Sequence, residues 1–149
     1  KLKVFVPKEI APGETRVAVS EASVKAMVKE GFEVLVEASA GAGSFLSDER
    51  LRSAGAQIVT DLPGSYAQAD LVLKVAAPMV SPKLGRDEAA ALKAGAVLIS
   101  FLAPHKNVPM VKTFLANRVT SLAMELVPRI TRAQKMDALS SQASIAGYK

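Results

Sequence analysis

The tract Pro128–Lys149, PRITRAQKMDALSSQASIAGYK, is a conspicuous polar loop joined to a helical pattern. Arg129 and Gln134 can donate hydrogen bonds to a carbonyl or amide oxygen, and Asp137 can accept them from an amide NH2. Asp137 also stands where a carboxylate would cap a helix running through ALSSQASIAGYK. On spacing alone, Arg129, Gln134 and Asp137 read as a loop salt bridge plus a helix cap. The same groups can orient a small polar ligand. The helix reaches Lys149 without a stop signal, so its end is expected to be cut or continued elsewhere.

Two cations stand apart from this tract. Lys74 lies inside the apolar run DLVLKVAAP, where an ammonium is costly to bury unless it is paired or reaches a pocket. A lysine snorkelling from the end of a strand would escape that cost. Arg16 follows the loop APGET and reads equally as a partner of Glu9 or Glu14 and as a ligand contact. Gly41 and Gly43 in SAGAGSFLSD follow a strand and precede a helix, as a dinucleotide fingerprint requires, but Leu46 occupies the third glycine position. A tight turn is the preferred reading there.

Several chemistries are excluded. Cysteine is absent, which removes disulfides, thiolate nucleophiles and cysteine metal ligands. His105 is the single histidine and sits beside Pro104, with no nucleophile-elbow sequence to accompany it. The carboxylates match no EF-hand or zincin spacing, so no metal site is expected. A net charge of +5 is spread along the chain without a basic block or interleaved aromatics, which argues against nucleic acid.

The elements that must position these groups follow from hydrophobic periodicity. Length, at 149 residues, suits one domain, and the 50% hydrophobic content with few aromatics calls for an Ala, Val, Leu and Ile core. Strands are expected at Leu2–Val6, Glu33–Glu37, Gln57–Val59, Asp70–Val75, Ala96–Leu102 and Val119–Ala123. Helical segments alternate with them at Ser20–Glu30, Asp48–Ala54, Gly64–Ala69, Arg86–Ala94 and Asn107–Asn117. Ser20, Ser47 and Asn107 occupy N-cap positions, and Gly31, Gly55 and Gly95 stand where helices end. Pro78–Pro82 reads as a long loop. Continuously apolar strands suit a parallel sheet covered on both faces, so the expected fold is α/β, doubly wound and Rossmann-like or flavodoxin-like. Such sheets place ligands at the carboxyl ends of their strands, where Arg16, Lys74 and the 129–137 loop are expected to converge. The longest apolar runs are far too short to cross a bilayer, and the first residues read as a strand.

VPKE, GETRVA, LVLKVAAP, MELVPRITRAQKMDALSSQ and SIAGYK, in this order and at these separations, closely resemble the first domain of the alanine dehydrogenase and pyridine-nucleotide transhydrogenase family. The similarity is strongest to the NAD(H)-binding component of proton-translocating NAD(P) transhydrogenases. It implies an N-terminal domain over 1–136, the start of an interdomain helix over 137–149, and a second NAD-binding domain beyond this chain. This chain alone is then expected to bind NADH poorly. The resemblance further implies NAD(H) here, NADP(H) on a partner component, a membrane-spanning proton-channel component and a homodimer. The location implied is peripheral to the inner or plasma membrane, on the cytoplasmic or matrix side. Arg129, Asp137 and Ser140 would hold the nicotinamide carboxamide and its neighbours, and Gln134 would reach toward the second nucleotide. In the alanine dehydrogenase branch an Arg and a Lys matching Arg16 and Lys74 act with a histidine, and Phe101 replaces that histidine.

Overall fold

The computed structural model describes residues 1–148, so that Lys149, the last residue of the 137–149 segment, lies outside the described residues. In the first strand, β1 (Lys3–Val6), Val4, Phe5 and Val6 are all fully buried, a pattern that only a sheet covered on both faces produces. Because successive side chains in a strand point to opposite faces, Phe5 enters one core while Val4 and Val6 enter the other. The first core gathers Leu35, Leu62, Tyr66, Leu98 and Phe114; the second gathers Val24, Val34, Val36 and Leu51. The chain is therefore wound on both sides of its sheet.

The remaining strands are β2 (Glu33–Glu37), β3 (Gln57–Val59), β4 (Leu71–Leu73), β5 (Val80–Ser81), β6 (Arg86–Asp87), β7 (Val97–Ser100) and β8 (Thr120–Ala123). The helices are α1 (Glu21–Lys29), α2 (Asp48–Ser53), α3 (Leu62–Gln68), α4 (Glu88–Ala91), α5 (Val108–Ala116) and α6 (Ala138–Ala146). Six strands form one parallel sheet in the order β3-β2-β1-β4-β7-β8, and all six lie in the segments read as strands from sequence. This is the Rossmann order. The chain runs outward from β1 in one direction and from β4 in the other, so a crevice opens where β1 and β4 end.

The capping expectations hold at Ser20 and Ser47, whose hydroxyls accept from Ser23 N and Arg50 N. Asn107 departs from them: it occupies the N-cap position of α5 without a side-chain cap, and its Nδ2 donates instead to Leu102 O at 2.8 Å. Pro109 in the first turn has no N–H, which reduces the demand for a cap. A larger correction concerns 78–94. In place of a long loop and a helix over Arg86–Ala94, β5 and β6 form an antiparallel hairpin, and α4 covers only Glu88–Ala91. Gly85 turns the hairpin at φ +64°, Asp87 caps the short helix, and extended backbone at Leu92 carries that side chain into the core.

Gly41 and Gly43 follow the turn reading. A Cβ on Gly43 would lie 2.8 Å from Thr15 O and 3.1 Å from Thr15 Cα, both backbone atoms that cannot swing aside. Gly43→Ala is expected to destabilise the domain by about 1–3 kcal/mol, read as a lower midpoint in urea unfolding, because the 41–46 and 11–16 loops must separate. An unchanged midpoint would show that the loops part freely.

Candidate functional site

At the crevice between β1 and β4 the chain places a closed ionic cluster. Lys74 Nζ lies 3.1 Å from Glu9 Oε2 and 3.3 Å from Glu88 Oε1, with all three side chains at most 3% exposed. Each carboxylate is also satisfied from the backbone: Val75 N donates to Glu9 at 2.6 Å and Met79 N to Glu88 at 3.1 Å. Tyr66 completes the cluster, its hydroxyl donating to Glu88 at 2.8 Å. Burial, followed by the adjacent Glu88 charge, pushes the Tyr66 phenol well above its usual range, so it stays a donor. Lys74 is thus paired rather than snorkelling. The cluster ties together the ends of β1 and β4 and the base of the hairpin through the Lys74 ammonium, and α3 through Tyr66 on Glu88.

Arg16 is held by Glu14 in a bidentate pair, Nε at 2.9 Å and Nη2 at 2.8 Å. Of the two candidate partners, Glu14 is the one it takes. The pair lowers the Glu14 carboxyl to about 2, chiefly through the Arg16 side-chain hydrogen bonds. A depressed carboxylate pKa adds stability above the unfolded value and loses it as pH falls toward 2. Since the Arg16 side chain is 54% exposed, that contribution is about 1 kcal/mol or less. An NMR titration is expected to place the Glu14 midpoint near 2 and, in Arg16→Ala, back near the ordinary carboxylate value. A wild-type midpoint already at the ordinary value would remove the pair from solution.

Beyond this pair lies a cleft of about 530 Å³, lined by Arg16, Val75 and Phe101 from the strand ends and by Arg129, Asp137 and Gln142 from the C-terminal tract. A neighbouring open pocket of about 590 Å³ is lined by Arg129, Ile130, Thr131, Gln134, Asp137 and Ser140. The four residues singled out in the tract therefore share one pocket, and Arg129 and Asp137 line both. Convergence with the strand ends is partial: Arg16 joins the cleft, whereas the Lys74 ammonium is enclosed by its carboxylates.

Asp137 caps α6, as its sequence position implies. Its carboxylate accepts from Ser140 N at 3.1 Å and Ser140 Oγ at 2.6 Å. These bonds, with the Arg129 charge behind them, hold its carboxyl below the usual range. Asp137 is consequently an ionised acceptor with lone pairs left for an amide NH2. Arg129 and Gln134 are exposed, so donors and an acceptor face the same open pocket without one another's hydrogen bonds consuming them. That complement fits a carboxamide.

Glu125 carries no signal in the sequence. Its carboxylate accepts from Leu102 N at 3.0 Å and from Ala103 N, clamping a loop in which Ala103 adopts φ +41°. Asn107 grips the carbonyl side of the same loop. Together they fix the backbone next to Phe101 and hence one wall of the cleft. Glu9, read from sequence only as a candidate partner of Arg16, and Glu88, unassigned there, are the counter-charges that the buried Lys74 demands.

The parallel sheet, whose strand order reverses between β1 and β4, defines a Rossmann-like α/β domain. Within that class, the chain belongs to the alanine dehydrogenase/PNT N-terminal domain family, whose model matches residues 5–146. It is 47% identical over 148 residues to an NAD(P) transhydrogenase alpha subunit protein of Rhodospirillum rubrum, covering 99% of this chain and 38% of that relative. It is 33% identical over 144 residues to the alanine dehydrogenase of Mycolicibacterium smegmatis, covering 97% of this chain and 37% of the relative. Among solved structures, a transhydrogenase from Sinorhizobium meliloti superposes with a TM-score of 0.88 at 43% identity, covering 98% of this chain and 42% of that one. The chain therefore spans well under half the length of these proteins.

Proposed function

We propose that this domain forms one wall of an NAD(H) cleft in a proton-translocating NAD(P) transhydrogenase. The observation that carries the reading is the common pocket of Arg129, Gln134, Asp137 and Ser140, set beside a cleft at the carboxyl ends of the strands. Arg129 donates to the carboxamide oxygen, Asp137 accepts from its NH2, and Ser140 holds Asp137 in place. Gln134, exposed on the same pocket, reaches across toward a second nucleotide, NADP(H), carried by a partner component. When bound, the dinucleotide supplies or receives the hydride. The work left to these side chains is orientation and exclusion of water, which needs no protein acid or base.

The proposed organisation has 1–136 as the first domain, 137–149 as the start of an interdomain helix and a second nucleotide-binding domain completing the cleft. The 38% coverage of the Rhodospirillum rubrum relative supports that arrangement. No helix among the described residues is long and apolar enough to cross a membrane. In keeping with the transhydrogenase relatives, the reading assigns proton movement to a membrane-spanning component, with this domain peripheral to it on the cytoplasmic or matrix side and paired as a homodimer.

Alanine dehydrogenase chemistry is disfavoured. Phe101 offers no polar group to the cleft, Lys74 is sealed between two carboxylates, and Glu14 occupies the Arg16 fork. The deciding experiment combines the complete protein with the NADP(H)-binding component and follows NADH-dependent reduction of an NADP analogue. Turnover is expected. NADH oxidation that requires pyruvate and ammonia, without transfer to the NADP analogue, would assign the domain to the dehydrogenase branch.

A further inference from the structure

The tract that carries Arg129, Gln134, Asp137 and Ser140 is attached to the rest of the domain at few points. It leaves β8 through a 3-10 turn at Met124–Leu126, continues through a 3-10 helix at Thr131–Met136 and ends in α6. Ala133 is buried, but Leu126, Ile130, Met136, Leu139 and Ile145 are each more than half exposed, so apolar burial anchors little of it. Among the described residues no ion pair reaches 124–148. The side-chain hydrogen bonds found to cross from that tract to the body of the domain are all accepted by Glu125.

We infer that Glu125 is a positioning residue of the nucleotide site: by holding the tract against the loop after β7, it sets where Arg129 stands. The inference rests on the nucleotide-cleft reading and adds to it the group that aligns one of its ligand-facing residues. Leu102 N donates to Glu125 Oε1 at 3.0 Å and to Oε2 at 3.2 Å, and Ala103 N donates to Oε1 as well. Two successive amides aimed at one carboxylate form a small anion cradle, and such charge-assisted bonds are stronger than neutral ones. Asn107 Nδ2 holds the same loop from its carbonyl side, at 2.8 Å from Leu102 O, which makes the loop a fixed reference for whatever Glu125 carries. Arg129 follows Glu125 by only four residues, and the link is stiff. Leu126 closes the 3-10 turn, Val127 is extended at φ −61° and ψ 123°, and the ring of Pro128 locks its own φ. Fixing Glu125 on the 102–103 amides therefore fixes Arg129 relative to Phe101 in the lining of the cleft. A clamp that served the 102–103 loop alone would act on the Phe101 wall and leave Arg129 unaffected.

The test uses the complete protein with its NADP(H)-binding component. Under native conditions Glu125→Ala is expected to speed tryptic cleavage after Arg129, Arg132 and Lys135 several-fold, because the tract opens locally without its anchor. Single-turnover hydride transfer in the same variant is expected to slow about tenfold or more, with little shift of the unfolding midpoint. Glu125→Gln keeps the length and one acceptor oxygen and should recover part of both effects. The deciding readout is a double-mutant cycle: in an Arg129→Ala background, adding Glu125→Ala should cost a further factor of about two or less, since the group being positioned is already gone. Unchanged cleavage or unchanged transfer in Glu125→Ala would overturn the proposal while leaving the nucleotide-cleft reading in place. A loss as large without Arg129 as with it would also overturn it, by moving the effect to the Phe101 wall or to the fold. If Arg129→Ala alone leaves both transfer and NADH affinity at the wild-type values, the nucleotide-cleft reading falls and the positioning role falls with it.

Discussion

Lys74→Ala is expected to destabilise the domain by about 3–5 kcal/mol, the usual cost of stripping the counter-ion from a buried charge pair. Two carboxylates depend on this one ammonium, at 3.1 and 3.3 Å, and neither can turn to solvent because both are nearly fully enclosed. The loss is a large fraction of the roughly 5–15 kcal/mol that typically holds a domain together. Urea unfolding followed by circular dichroism should show the midpoint falling accordingly. Lys74→Met combined with Glu9→Gln and Glu88→Gln is the informative companion, since it removes the charges together and keeps volume and acceptors. It should recover most of the loss. If Lys74→Ala costs less than about 1 kcal/mol, the cluster is solvated in solution and the sealed-crevice account is wrong.

The placement of that cluster bears on function as well as stability. A parallel sheet of this order is open for ligand binding where β1 and β4 diverge. Here Glu9, Lys74, Glu88 and Tyr66 fill the floor of that opening with mutually satisfied groups. The accessible cleft is displaced toward Phe101, Glu125 and the C-terminal tract. Charge is consumed at the floor and left free at the rim.

The sheet is readable because its central strands are short apolar runs, and the alternation of Val4, Phe5 and Val6 between two cores needs no long-range information. The 86–94 segment departs from its sequence reading for the opposite reason. EAAALKA is a strong helix-former locally, but the path is set by the Pro82–Gly85 turn and by the burial of Leu92, which only the assembled core demands. The partners of Lys74 are invisible in the sequence because they lie 65 and 14 residues away; burial announces the need for a counter-charge without naming it. The candidate site is legible in the tract Arg129–Ser140, and the Asp137 cap is recognisable from its position. What periodicity cannot distinguish over six residues is 3.0 from 3.6 per turn, and that difference decides which side chains share a face.

Asp137→Asn and Gln134→Asn, each made in the complete protein with its NADP(H)-binding component, are expected to slow hydride transfer about 100-fold while leaving unfolding midpoints nearly unchanged. The magnitude follows from geometry: hydride transfer requires near-contact alignment, and a displacement of about 1 Å at the reacting centre is enough for a loss of that order. In Asp137→Asn the side chain keeps its length and one oxygen able to accept from Ser140 N, so the cap on α6 should survive. The substitution removes the charge and one acceptor, and with them the fixed orientation of the carboxamide. Shortening Gln134 by one methylene withdraws an exposed amide from the pocket without touching the core, since the buried member of that segment is Ala133. The discriminating measurement is the single-turnover transfer rate beside the unfolding midpoint of the same variant. Parallel losses of rate and stability would reduce the tract to a salt bridge and a helix cap. Loss of rate alone, with NADH still bound, would place Gln134 and Asp137 in the orienting of the reacting rings.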